Sequence, residues 1–361
     1  MSAGWLAGCP GVRIGETGTM GSKTEAKRLA VVTNDGHDQH VVPEGHPEHS
    51  GRLHAAMDGI RAALEGADWV ETSAPAATDE QLSIVHSPAY LDHLAADASA
   101  GGSRLDPDTH SSPGSLATAR LAAGACLAAA GAMDSGSTRH ALVAVRPPGH
   151  HALADRPMGF CLINNVAVAA ATWADAGERV AIVDWDVHHG NGTQDIFFDD
   201  PRVLYVSTHQ SPHYPGTGGL AETGGPNAER SNLNVPLRAG SAGDTLRAVF
   251  DEVIQPRIAE FAPTRLIISA GFDAHRDDPL AGLGLTAADY GALTERMIEV
   301  APDGRLLVVM EGGYDLTALG RSIGSVAAVL AGVDLPTFDG ESATSEGVDR
   351  DTLEAALAVH R

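Results

Sequence analysis

Hydrophobic and polar positions along the chain sort into two alternating kinds of segment. Six short apolar runs, Arg28–Thr33, Ala141–Val145, Val180–Val183, Val203–Ser207, Leu266–Ser269 and Leu306–Met310, are rich in aliphatic and β-branched residues and read as buried strands. Ala-rich stretches with helical patterning cover 50–65, 88–98, 113–134, 164–176, 243–261, 286–300 and 316–332. Strands separated by helices predict βαβ units and a mostly parallel sheet flanked by helices, so the expected fold class is α/β, a single doubly wound domain over 28–335. No internal repeat and no linker divides it. Residues 1–27 are Gly-rich without periodicity and read as a flexible tail or a mis-assigned start, with Met20 as an alternative. Residues 336–361 turn polar and close on a short Ala-rich helix.

In doubly wound sheets, ligands bind beyond the carboxyl ends of the strands, so the residues just past each strand end are where chemistry belongs. After Ala141–Val145 comes Arg146-Pro147-Pro148-Gly149-His150-His151, and after Val203–Tyr205 come Ser207, Thr208 and His209. Leu266–Ser269 leads into Gly271-Phe272-Asp273-Ala274-His275, and Leu306–Met310 into Glu311-Gly312-Gly313-Tyr314. The fullest case succeeds Val180–Val183: Asp184-Trp185-Asp186-Val187-His188-His189. Side chains alternate along extended backbone, so Asp184, Asp186 and His188 share one side while Trp185 and Val187 take the other. Two carboxylates and an imidazole together at a buried strand exit are costly unless something cationic sits among them. A solvated acidic strand tip would account for a lone Asp-x-Asp; the in-phase histidine favours a metal. His189 faces the other way and is read as structural, and Gly190-Asn191-Gly192 is expected to let the chain turn sharply away.

Three protein ligands plus an open position is the layout of a catalytic zinc, and Asp186, His188 and Asp273 supply that set. Asp184 would close the site as a fourth ligand, so it is placed behind the others, where a carboxylate commonly orients a histidine; His150 and His151 are the natural recipients. A histidine beside a metal-activated water can take its proton and return it to a leaving group. Tyr314, on its Gly-Gly turn, can donate to a forming oxyanion. These are the parts needed to hydrolyse an amide. Taken singly, each has a plainer explanation: His150-His151 as a loop pair, Tyr314 as a half-buried turn residue. His37, His40, His46, His49 and His54 are read as mostly surface and loop residues, Asp277 and Asp278 as caps of the turn before Pro279, and Cys161 as a small buried residue. Only the joint pattern outweighs those explanations.

Composition narrows the class. The chain has 361 residues, is 43% apolar and 20% charged, and carries a formal net charge of -23, which argues against nucleic-acid binding and for long-range attraction of cationic substrates. Cys9, Cys126 and Cys161 form no Cys-x-x-Cys pair, so no disulfide framework is expected. No apolar run long enough to span a membrane and no secretory layout is read, which makes a cytoplasmic location the expectation.

Arg146-Pro147-Pro148-Gly149-His150-His151-Ala152, Gly159-Phe160-Cys161-Leu162-Ile163-Asn164-Asn165, Asp184–Gly192, Gly271–His275 and Glu311–Tyr314 resemble, in order and across roughly residues 30–335, the histone deacetylase superfamily, which includes acetylpolyamine amidohydrolases. The resemblance implies an arginase-like α/β fold with its catalytic domain at 28–335, and one catalytic zinc at Asp186, His188 and Asp273. It implies His151 as general acid–base, His150 paired to Asp184, and Tyr314 polarising the acetyl carbonyl. A structural potassium is implied near Asp184, Asp186, His188, Ser207 and Thr208, partly through backbone carbonyls. Phe160 and Tyr214 would wall a narrow tunnel, with Gly159 beside them and Asp108 as a rim carboxylate for substrate backbone. Trp185 with Asn191 resembles class II, since class I places an aspartate at the position of Asn191. Leu280 stands where polyamine-specific relatives can carry an acidic gatekeeper, and the segment from His86 to Pro113 is short, so acyl-lysine is favoured.

The reading is therefore a zinc-dependent amidohydrolase removing acetyl or a similar short acyl group from lysine in proteins or peptides. Acetylpolyamine hydrolysis is the runner-up, and a non-catalytic acyl-lysine binding module is disfavoured by Tyr314. Arginase-like ureohydrolase activity fits less well, because its second-metal ligand set is not evident. Expected partners are an acylated lysine peptide or protein, or an acylated polyamine, with no nucleic acid and no membrane; a homo-oligomer is left open.

Overall fold

Eight parallel strands form one sheet in the computed structural model, which describes residues 27–338 and 340–360. In chain order they are β1 (Lys27–Thr33), β2 (Trp69–Ser73), β3 (Thr138–Ala144), β4 (Val180–Asp184), β5 (Val203–Gln210), β6 (Asn232–Leu237), β7 (Arg265–Ala270) and β8 (Leu307–Met310). Their spatial order is β2-β1-β3-β8-β7-β4-β5-β6, and every neighbouring pair is parallel. All six expected strands are present. The two unforeseen ones are the edges. In β2 four of five residues are exposed, so it lacks an apolar signal, whereas β6 alternates buried Leu233, Val235 and Leu237 with Asn232, Asn234 and Pro236. Proline is tolerated there because an edge strand has one side without a ladder.

The helices are α1 (Gly51–Ala63), α2 (Asp79–Leu82), α3 (Pro88–Ser99), α4 (Ser115–Asp134), α5 (Asn165–Asp175), α6 (Asn191–Phe197), α7 (Gly243–Val249), α8 (Gln255–Phe261), α9 (Ala287–Val300), α10 (Leu316–Ala331) and α11 (Arg350–His360). The expected helix over 243–261 is divided by a π-helical turn at Phe250–Ile254, where Pro256 cannot donate to the preceding turn. Alternation within each strand builds two cores. In β4, Ala181 and Val183 face the cluster formed with α1, α7, α9 and α10, while Val180 and Ile182 face the one formed with α3, α4 and α5. α1 and α10 cross closely at Gly59, where an added Cβ would lie 2.0 Å from the Gly320 carbonyl.

Two expectations change here. α4 is, by length and composition, apolar enough to cross a membrane, contrary to the sequence reading, but Ala122, Cys126 and Ala129 lie in the core and the helix packs on α5 and β3. The polar segment after 336 contains the expected helix, yet it is docked rather than trailing: Leu353 and Ala356 of α11 join the core, and His360 Nε2 hydrogen-bonds the Asn234 carbonyl at 3.1 Å. Residues 1–26, most of the expected N-terminal tail, lie outside the described residues. The five strands that carry the polar strand ends, β3, β8, β7, β4 and β5, stand side by side in the sheet. Parallel strands all end on one edge, so five motifs scattered over 169 residues (146 to 314) converge.

Candidate active site

Beyond Asp184 the chain leaves the sheet, yet the alternation persists. Trp185 and Val187 are fully buried in the core, and Asp186 and His188 turn to the opposite side. Asp273, three residues past β7, meets them. His188 Nδ1 lies 3.0 Å from Asp186 Oδ1 and 3.2 Å from Asp273 Oδ2. Backbone amides fix both carboxylates: His188 N donates to Asp186 Oδ1 (2.9 Å), Gly312 N to Asp186 Oδ2 (2.9 Å) and Val187 N to Asp273 Oδ1 (3.0 Å). Glycine is required around them by close approach. A Cβ on Gly271 would stand 2.1 Å from Asp186 Oδ2, and one on Gly312 2.0 Å from Asp273 Oδ2. Burial pulls the His188 pKa down, but the two carboxylates overcome it and raise it to about 10. Two buried carboxylates converging on one imidazole nitrogen need a cation between them, and the three ligand atoms lie within 4.8 Å of one another. An N,O,O donor set of this kind fits a divalent transition ion.

The histidine pair stands beside this cluster with its rings 4.1 Å apart. His150 Nδ1 hydrogen-bonds Asp184 Oδ2 at 3.0 Å, as the sequence implied, and the Tyr205 hydroxyl donates to the same oxygen (3.0 Å). Burial would lower His150, but Asp186 and Asp184 hold it at about 10. His151 goes the other way. Burial, then the neighbouring His150 and His188, keep it well below its ordinary value, and its Nδ1 faces Asn191 Oδ1 at 2.7 Å. Adjacent imidazoles driven apart in this manner separate a charged member from a neutral base. Gly190 makes the sharp turn the sequence promised, an inverse γ-turn (φ -75°, ψ 66°) closed by the Asn191 amide on the His189 carbonyl (2.8 Å), and it caps α6. It is glycine for space, since a Cβ there would lie 2.3 Å from Asp184 Oδ2. His189 is structural as expected, bonded to Thr217 Oγ1 (2.7 Å) and Gln194 Oε1 (2.9 Å).

Behind Tyr314 lies a buried ion network that sequence reasoning missed. Arg146 grips Glu48 through Nε to Oε1 (3.0 Å) and Nη2 to Oε2 (2.8 Å), and Arg52 Nη1 reaches Oε1 (3.2 Å). Burial opposes ionisation of Glu48, but His40, Arg146 and Arg52 hold its pKa far below the carboxylate range. Arg52 also donates to the Gly313 carbonyl (2.7 Å) and the Glu311 carbonyl (2.5 Å), and its guanidinium sits 4.8 Å from the Tyr314 ring centre. Glu311 accepts from the Gly149 and His150 amides (2.6 and 3.1 Å), joining the tyrosine turn to the histidine pair. Two polar loop residues prove to be interior. His40 is buried, bonded to Ser115 Oγ (2.7 Å) and 3.4 Å from Glu48. Asp278 is buried too, and accepts from the Tyr314 amide (2.7 Å) besides capping its own turn at Leu280 N (2.9 Å).

A cavity of about 190 Å³ opens onto these groups, with His151, His188 and Tyr314 in its lining. The expected tunnel residues Phe160, Tyr214, Gly159, Leu280 and Asp108 all line it as well. Gly159 (φ 56°) and Phe160 (φ 68°) are both left-handed, and a Cβ on Gly159 would collide with the His151 ring at 2.2 Å. Asp108 Oδ1 accepts from the Gly159 amide (3.1 Å) and the Thr109 hydroxyl (3.0 Å), so it shapes the tunnel wall from the rim. His213, not foreseen, stacks on His188 (5.1 Å, 22°) and holds the Leu280 carbonyl (3.0 Å). Of the residues implied around a potassium, Ser207 pairs in register with Asp184, and the buried Thr208 hydroxyl has no hydrogen-bond partner among the described residues.

Comparison with known proteins gives a consistent answer. The model of the histone deacetylase domain matches residues 46–330. The chain is 39% identical over 312 residues to a protein of Archaeoglobus fulgidus named probable deacetylase, covering 84% of this chain and 87% of that one. It is 41% identical over 276 residues to the histone deacetylase-like amidohydrolase of Pseudomonas aeruginosa, covering 74% and 71%. Among solved structures, the HDA15 HD domain superposes with a TM-score of 0.82 at 36% identity, covering 92% of this chain and 93% of that one.

Proposed function

Since the chain belongs to the histone deacetylase family, we propose that it is a zinc-dependent amidohydrolase that removes acetyl, or a similar short acyl group, from lysine side chains of proteins or peptides. The observation that carries this reading is the buried Asp186–His188–Asp273 cluster beside the His150–His151 pair, with His188, His151 and Tyr314 on the lining of one aromatic-walled cavity.

Zn²⁺ held by Asp186, His188 and Asp273 would supply Lewis-acid activation of a water and of the amide carbonyl. The protein does the rest. His151 donates from Nδ1 to Asn191 Oδ1, which leaves Nε2 as the basic nitrogen. That nitrogen takes a proton from the attacking water as the new C–O bond forms, then delivers it to the amine nitrogen as the C–N bond breaks, giving acetate and a free amine. His150, kept charged by Asp184, adds fixed positive charge next to the base. Tyr314 donates to the carbonyl oxygen as it gains charge, and its ring is placed by Arg52, Asp278 and an edge contact with Phe160 at 5.8 Å. Phe160 and Tyr214 wall the path of the methylene chain and exclude water from it.

Leu280 on the cavity lining supports acyl-lysine over a polyamine, because no carboxylate stands there to meet a distal ammonium. The net charge of -23 and Asp108 at the rim favour the polyamine reading by attracting polycations. Turnover of acetyl-lysine peptides against acetylputrescine and acetylspermidine by the zinc-loaded protein decides between them. Strong preference for the polyamine would overturn the lysine assignment. The buried Thr208 hydroxyl and the Asp184–Ser207 pair support a structural K⁺ beside β4 and β5 as part of the same proposal.

A further inference from the structure

The His-rich segment between β1 and α1 holds more imidazole than the reaction uses. His40 is engaged with Ser115 and Glu48, and His46 with the Asp108 carbonyl. His37, on the 3-10 turn His37–Gln39, and His54, in the first turns of α1, instead meet each other with ring centres 4.9 Å apart. Asp38 Oδ1 lies 3.5 Å from His37 Nε2, and one ligand atom from each of the three side chains falls within 4.8 Å of the others. The spacing of these histidines in sequence matches no ligand pattern; only the fold assembles them.

His37 is poised as a ligand in one further respect. Its Nε2 is buried and, among the described residues, has no hydrogen-bond partner. A buried imidazole nitrogen left unpaired can offer its lone pair to a metal ion. The turn itself is anchored, since the His37 carbonyl accepts from Arg146 Nη1 at 2.6 Å.

We propose that His37, Asp38 and His54 form a second binding site for a divalent transition ion, separate from the Asp186–His188–Asp273 cluster. Two imidazoles and one carboxylate suit Zn²⁺ and its neighbours rather than Mg²⁺ or Ca²⁺, which prefer oxygen. Ligands about 2.1 Å from a tetrahedral centre stand roughly 3.4 Å apart, close to the His37–Asp38 separation, and the exposed His54 can swing in to complete the set. Three protein ligands leave the remaining coordination to water. Because the ligands join the 3-10 turn to α1, the ion clips together the two ends of the segment that carries Glu48, and through it Arg52 and Arg146.

Zn²⁺ titration of the full-length protein, followed calorimetrically and by metal analysis after dialysis, tests the site. Wild type takes up one equivalent beyond that held at the Asp186 cluster. His54→Ala and His37→Ala each weaken that further equivalent by about tenfold or more and keep the first. Asp273→Ala loses the first and keeps the second. His54→Cys, which restores a ligand, recovers the second equivalent. Saturation at one equivalent in wild type, or a second equivalent indifferent to both histidine substitutions, overturns the proposal and leaves the deacetylase reading intact.

Discussion

Glu48→Gln tests the buried network most sharply, because it removes one charge and almost no volume. Glu48 and its partners Arg52 and Arg146 are all 0% exposed, and the carboxylate meets both guanidinium groups. Glutamine keeps one acceptor oxygen but leaves two buried cations facing a neutral group. Breaking a buried pair by removing one partner costs about 3–5 kcal/mol. At about 2.1 cal/mol/K per residue, a chain of 361 residues has an unfolding entropy of roughly 0.75 kcal/mol/K, so the melting temperature should fall by about 4–7 °C. Differential scanning calorimetry of wild type and variant at one pH measures it directly. The sign with pH is set as well. The folded Glu48 pKa lies below its ordinary value of 4.5, so its contribution is fully present above that pH and is lost as pH falls toward the folded value. The gap between the two proteins should therefore be largest near neutrality and shrink below about pH 4.5. Since Arg52 holds the Gly313 and Glu311 carbonyls, kcat should fall as well. A loss below about 1 kcal/mol, or a gap that grows on acidification, would refute the claim that this charge stabilises the fold.

Tyr314→Phe should lower kcat by about 10²–10³, the usual cost of one oxyanion donor, with zinc content unchanged; undiminished turnover would remove Tyr314 from the mechanism. Gly312→Ala should lose bound zinc, because the new methyl would lie 2.0 Å from Asp273 Oδ2 and 2.6 Å from Asp186 Oδ2; a variant that keeps stoichiometric zinc contradicts the close-approach argument. Asn191→Asp places a carboxylate against His151 Nδ1, which raises the pKa of that histidine and moves the acid limb of the kcat/KM profile to higher pH; an unmoved limb sinks the assignment of His151 as base.

The chemistry was legible where it obeyed the strand code. Asp184, Asp186 and His188 were placed by alternation alone, and Asp273 and Tyr314 by the rule that parallel strands end together. Charge pairs between loops carry no such period. Arg146 and Glu48 are 98 residues apart, and Arg52 and the Glu311 carbonyl 259, so nothing in the local pattern announces either contact. His40 misleads for the same reason: a polar residue in a loop reads as exposed until the fold lays another loop over it. Gly190, Gly271 and Gly312 show a subtler limit. Their sequence positions suggest turns, yet each is glycine because a carboxylate oxygen occupies the space of a Cβ. The edge strand β2 had no apolar face to detect, and β6 showed only a three-residue alternation interrupted by Pro236.

The central claim is that the Asp186–His188–Asp273 cluster holds the zinc that makes this protein a lysine deacetylase. Acetate release from an acetyl-lysine peptide, measured on the same samples as tightly bound zinc, tests it most directly. Release should vanish on chelation, return when Zn²⁺ is restored, and be absent from Asp273→Ala, which should also have lost the tight zinc. Acetate release that persists in the chelated protein or in Asp273→Ala would contradict the account.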